Sequence, residues 1–184
     1  MTTRWLDPQE RAAWLRLAAV LELLPAALDA QLRRDAGVSH FDYFVLAMLS
    51  EAPERTLRMT ALAQRTSASL PRLSHVVHKL EKRGLVERFP CPEDRRATNA
   101  RLTGVGWDLV VEAAPDHVAT VRRLVIDALT PAQVGQLERI GDAVLGRLDP
   151  EGRVRSLLDP EGRVRSLLDQ DASHVDAPGT SRGA

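Results

Sequence analysis

A chain of 184 residues that is 44% hydrophobic carries enough apolar material for one domain of ordinary size, which excludes wholesale disorder. Its 25 basic and 25 acidic side chains cancel, so an anionic partner has to be met by a local patch and not by a bulk field. A single cysteine, Cys91, excludes an internal disulfide framework and fits a reducing compartment.

The opening MTTRWLDPQERAAW lacks the apolar run of a signal peptide, and charges and Pro25 interrupt WLRLAAVLELLPAAL, so a soluble, cytoplasmic chain with no membrane span is expected. Asp7-Pro8-Gln9-Glu10 offers an N-cap, a proline at the first helical position and a glutamate at the third, a capping box. Behind it Trp14, Leu17, Leu21, Leu24, Leu28 and Leu32 form one apolar stripe. Pro25 is expected to kink this helix without ending it, and Gly37 to close it. Ser39 caps a second helix with Phe41, Phe44, Val45 and Met48 on one face, ended by Pro53.

Thr60 is predicted to cap a brief helix carrying Leu62 and Ala63. Ser69 caps a longer one to Arg83, with Gly84 just past its end. Residues 85–89 and 99–102 flank a cluster of prolines and charges and read as a β-hairpin. Thr103 caps a long helix predicted to reach Leu129 with a kink at Pro115, and Thr130-Pro131-Ala132-Gln133 opens a last helix through Leu137, Ile140, Val144 and Leu148. The segment DPEGRVRSLL then occurs twice in succession over 149–168, too short a period for a solenoid, and 169–184 reads as a disordered tail.

The chemistry concentrates between Thr60 and Leu102. Two short helices separated by small polar residues have the layout of a helix-turn-helix, whose second helix enters the major groove. Leu73, Val76, Val77 and Leu80 would face the core, leaving Arg72, Ser74, His75, His78 and Lys79 for other surfaces. Arginine can bind guanine with two hydrogen bonds, serine donates or accepts, histidine reaches a base edge or phosphate, and lysine pairs with phosphate. From Arg65 to Leu102 there are nine basic residues against four acidic ones, so the neutral chain segregates its charge here. The five histidines show no metal-ligand spacing. No phosphate loop, nucleophile elbow or carboxylate pair supports an enzyme, and neither a cofactor nor a metal is expected.

The stretch LAQRTSASLPRLSHVVHKLEKRGLVER, followed by CPEDRRATNARLT, resembles the winged helix-turn-helix regulators of the multiple antibiotic resistance regulator (MarR) family. The resemblance implies a mainly α fold with a small β-hairpin wing and long flanking dimerisation helices. On that pattern a domain spans 1–148, with dimerisation helices at about 5–36 and 104–148 and a winged lobe at about 39–103. It implies a homodimer on a pseudo-palindromic site in double-stranded DNA, repressing transcription until a small aromatic or phenolic effector binds. Asp94, Arg95 and Arg96 match the family's acid-arginine wing motif, which implies that Arg96 enters the minor groove and that Asp94 orients it. Ser67 stands where the family's turn usually has glycine.

Phe41 and Phe44 are expected in the core, leaving Trp14, His40 and Tyr43 as candidates for an effector pocket. Cys91, between Pro90 and Pro92, raises the alternative of a redox-responsive regulator. A winged helix used as a protein-interaction module is a further alternative, but that reading predicts a wing without its arginine pair.

Overall fold

The computed structural model describes residues 2–92, 94 and 96–152. Arg95, the 169–184 tail and the repeat beyond Gly152 therefore lie outside the described residues.

Side-chain caps mark the starts of four helices, whereas Ser69, expected to cap the helix over 70–82, holds the N-cap position without a side-chain bond. Asp7 accepts the N–H groups of Gln9 at 2.7 Å and Glu10 at 2.8 Å, while the Glu10 carboxylate accepts the Asp7 N–H at 2.9 Å. This opens α1, Pro8–Ala36, which continues through Pro25 and ends at Gly37 in the left-handed region, φ 63°. Ser39 and Asp42 make the same reciprocal pair at the start of α2, His40–Ser50. Thr130 and Gln133 repeat it before α6, Pro131–Leu148.

Between α2 and α6 the chain forms β1 (Thr56–Arg58), α3 (Met59–Arg65), α4 (Leu70–Lys82), β2 (Val86–Pro90), β3 (Thr98–Leu102) and α5 (Gly104–Leu124). The predicted hairpin is β2–β3, with Val86 opposite Leu102 and Phe89 opposite Asn99. β1 adds a third antiparallel strand on the other side of β3, giving the order β1-β3-β2.

Two boundaries differ from expectation. α3 starts at Met59 with Arg58 as its N-cap, because Arg58 is already extended as the last residue of β1 and Thr60 falls inside the helix. α5 stops at Leu124 and a 3-10 turn covers Ile126–Ala128, where the β-branched pair Val125-Ile126 replaces better helix formers.

The core lies inside the lobe. Leu32 and Val38 from the α1–α2 corner meet Val45, Leu46 and Leu49 of α2, Leu62 of α3, Leu73, Val77 and Leu80 of α4, Val86 and Ala100 of the sheet and Val110 of α5. The apolar stripe of α1 divides accordingly. Leu28 and Leu32 are buried, whereas Trp14, Leu17 and Leu21 are exposed, as are Leu137, Ile140 and Val144 of α6. Among the described residues no helix is long and apolar enough to cross a membrane.

Candidate nucleic-acid interface

The turn from α3 to α4 is tight. Ser67 adopts φ 49°, the left-handed conformation that glycine takes most easily, and Ala68 N–H returns to the Ala63 carbonyl at 2.9 Å. α4 then begins with Pro71 in its first turn, where a missing N–H costs no helical bond.

Helical phase sorts α4 into four strips, because residues three and four apart stack on one face. Leu73, Val77 and Leu80 are buried in the core. Opposite them Pro71, His75, His78 and Lys82 are all exposed. Lys82 was not among the residues expected to face DNA, although its spacing from His75 and His78 places it in the same strip.

The two remaining strips are tied to neighbouring elements. On one, Arg72 lies 4.2 Å from the Phe41 ring centroid, Lys79 Nζ ion-pairs with Asp42, and Arg83 donates to the Gly37 carbonyl at 3.0 Å. Thus Arg72 and Lys79, expected to contact DNA, both bear on the start of α2. Burial raises the Asp42 pKa, but the bonds from Lys79 and Ser39 outweigh it and hold the carboxyl below its ordinary value. On the other strip Glu81 accepts Arg88 Nη2 at 2.5 Å and Nε at 3.0 Å, clamping β2 against α4. His78 Nδ1 lies 3.3 Å from the same Arg88 guanidinium. Ser74, half-buried, lines a cleft of about 200 Å³ between α4 and the hairpin, together with Thr60, Arg88, Arg96 and Thr98.

The wing tip is organised by Asp94. Its Oδ1 accepts the Arg96 backbone N–H at 3.0 Å and its carbonyl accepts the Ala97 N–H at 2.8 Å. Asp94 therefore grips the main chain at Arg96, an exposed residue that also lines the cleft between the hairpin and α4. Cys91 is 4% exposed, with its N–H bonded to the Ala97 carbonyl at 2.9 Å. A thiol buried at the wing base is shielded from oxidants in solution.

The residues expected to line an effector pocket separate into two places. His40 and Tyr43 converge on His117 of α5, with ring centroids 6.0 Å and 4.9 Å from it, and His117 Nδ1 lies 3.3 Å from Gln31 Oε1 of α1. Trp14 sits 17 residues before Gln31 on the same helix, roughly 25 Å along its axis, so within one chain it does not join them. The fully buried aromatic of α2 is Tyr43, while Phe41 and Phe44 are half-buried; Phe41 packs against the core as expected, and Phe44 does not. The reason is helical phase: Tyr43, Leu46 and Leu49 point inward together, and Phe41 is turned toward α4. His117 was missed by sequence reasoning, since a histidine in a long helix carries no local signal. Burial lowers the pKa of both histidines; for His117 the charge of His40 lowers it further, and for His40 the charge of Asp29 opposes the shift.

Comparison with known proteins agrees with this geometry. The MarR family model matches residues 38–98, which carry α2, β1, α3, α4 and β2 and end at the first residue of β3. A MarR family transcriptional regulator from Streptomyces coelicolor, solved in complex with DNA, is 43% identical over 81% of this chain and 93% of its own, with a TM-score of 0.78. AbsC from the same organism, also described as a MarR family transcriptional regulator, is 38% identical over 79% of this chain and 98% of its own, with a TM-score of 0.76. The transcriptional repressor MprA of Escherichia coli is 27% identical over 113 residues, and the match spans 64% of MprA and 61% of this chain.

Proposed function

The chain belongs to the MarR family of transcriptional regulators, and from that premise we propose that it binds a pseudo-palindromic operator in double-stranded DNA as a homodimer and represses transcription there. The observation that carries this reading is the outward strip of α4, Pro71–His75–His78–Lys82, exposed along its length, with His78 touching Arg88 at its edge, while the opposite strip is buried and the flanks bear on α2 and β2. A helix held by the core and by both flanks, with its remaining side exposed, is built to be inserted. Its N-terminal end would place His75 against base edges in the major groove, with Lys82 toward phosphate.

The wing supplies the second contact. Arg96 is exposed at the wing while Asp94 fixes its backbone, so its guanidinium is available to a narrow minor groove. The basic excess between Arg65 and Leu102 draws this face, and not the neutral molecule as a whole, toward the phosphates.

The exposed apolar stripes of α1 and α6 are the surfaces that a second copy covers, and the two lobes then meet half-sites about one helical turn, roughly 34 Å, apart. The cluster Gln31–His40–Tyr43–His117 joins α1, α2 and α5, the junction between lobe and long helices. A small aromatic or phenolic effector acting at this junction would shift the lobes and release the operator.

Selection of bound fragments from a random duplex library with the purified protein tests the reading. Enrichment of an inverted repeat, with affinity falling steeply as salt rises, is the expected result; no enrichment above bare beads refutes it.

A further inference from the structure

Arg72, Lys79 and Arg83 recur on one side of α4, and each is held by the short segment from Gly37 to Asp42 that joins α1 to α2. Asp42 is the centre of this contact. It is 2% exposed, and its Oδ2 accepts the Ser39 N–H at 3.0 Å while also receiving Lys79 Nζ. One carboxylate thus caps α2 and grips α4.

A buried carboxylate stripped of its cation is strongly destabilising, so the Lys79 ammonium is committed inward. A cation so committed has little charge left to displace counterions from a phosphate. The Arg72 and Arg83 contacts flank the ion pair at either end of the helix, so the three together resist rotation of α4 about its own axis and tilt away from α2.

We propose that Lys79 is a positioning residue and not a DNA ligand: the Asp42–Lys79 pair, braced by Arg72 on Phe41 and Arg83 on Gly37, sets the angle at which α4 meets the groove. The inference rests on the reading that α4 enters DNA, and it assigns a role to Asp42 that no sequence feature near the wing or the recognition helix suggests. Because His40 and Asp42 lie in the same turn of α2, movement at the His40–His117 contact is passed to α4 through this pair.

The test uses the full-length protein and the duplex that it selects from the library. Affinity is measured across a salt series for the wild type, Lys79→Met, Asp42→Asn, the double variant and Lys82→Met. Lys79→Met and Asp42→Asn are each expected to weaken binding by about tenfold, with the wild-type dependence on salt retained. The double variant is expected to be no weaker than the worse single one, because both remove the same pair. Lys82→Met, on the outward strip, is expected to lower the slope of log affinity against log salt by about 0.9 per lobe.

A slope lowered by a similar amount in Lys79→Met would show a direct phosphate contact and overturn the proposal. So would wild-type affinity in a folded Asp42→Asn. If a single variant fails to fold by circular dichroism, the slope of the Asp42→Asn, Lys79→Met double variant decides, since it removes the cation together with the buried charge that the cation neutralises. A wild-type protein that selects no duplex refutes the DNA-binding reading itself, an outcome distinct from a Lys79→Met slope change.

Discussion

Tyr43 packs its ring 4.9 Å from that of His117 at a tilt of 53°, and this contact joins α2 of the lobe to α5. His40 approaches His117 from the preceding turn of α2, and Gln31 approaches it from α1. Three helices therefore meet on one half-buried imidazole, at the junction between the long helices and the lobe.

That junction predicts a pH dependence of stability. Burial lowers the pKa of His40 and His117, so the unfolded chain binds more protons than the folded one just below pH 6.5. The stability that these groups contribute is complete above their unfolded value and is lost as pH falls through their folded values. Asp29, Asp35, Asp42 and Glu81 are depressed too, but their losses begin only as pH falls to about 5 and below. Glu51, raised by burial, acts in the opposite sense, so a variant is needed to isolate the histidines. Thermal unfolding of His117→Phe is expected to show a flatter profile than the wild type between pH 7 and 5. Parallel profiles would contradict it.

The parts of this fold that are legible in the sequence are those decided within a few residues. The capping boxes at Asp7–Glu10, Ser39–Asp42 and Thr130–Gln133 are all formed, because each needs only a side chain and an N–H three positions away. β1 was not legible, since three residues with no alternation become a strand only by pairing with β3 more than forty positions later. The destination of Lys79 was hidden for the same reason: its partner Asp42 is 37 residues earlier and reads locally as a cap. The strip containing Lys82 could have been found from helical phase alone.

The exposed stripes predict the assembly. Ile140 is 60% exposed and Trp14 54% exposed, on two helices whose apolar residues recur at three- and four-residue steps. Covering such surface with a second copy is favourable by about 25 cal/mol per Å². Leu21→Glu with Ile140→Glu is expected to give a folded monomer by light scattering and to weaken operator binding by at least 100-fold, since each lobe then binds alone. An unchanged dimer would place the interface elsewhere.

The two ends of the DNA-facing surface predict different losses. Arg96→Ala removes an exposed charge at the wing and is expected to weaken binding to every duplex alike, with a lower salt slope. His75→Ala removes a hydrogen-bonding group from the strip aimed at base edges. It is expected to relax preference at one position of each half-site, costing about 1–3 kcal/mol there and leaving the salt slope nearly unchanged. Repeating the duplex selection with each variant distinguishes the two. Equal selectivity loss in both would mean that the wing reads sequence as well.

The lobe is attached to α5 at Gly106, and the attachment leaves no room for a side chain. A Cβ built there would overlap the Leu85 carbonyl oxygen and lie 2.7 Å from Leu102 Cδ1. The backbone around it is pinned from several directions: Thr103 N–H donates to the Leu85 carbonyl at 3.1 Å, Thr103 Oγ1 donates to the Gly84 carbonyl at 2.7 Å, and Gly106 N–H donates to Thr103 Oγ1 at 3.0 Å. A methyl at Gly106 must therefore push the first turn of α5 away from the corner between α4 and β2 and break part of this set. Overpacking against flexible side chains costs about 1–3 kcal/mol, and a clash with backbone belongs at the upper end. At about 2–4 °C per kcal/mol for a chain of this size, Gly106→Ala is expected to lower Tm by several degrees. Gly104, two positions earlier, has nothing within 4 Å of its own built Cβ, so Gly104→Ala is expected to leave Tm unchanged or raise it slightly. Equal melting of the two variants would mean that α5 is free to shift at its start, and that the lobe is not fixed there.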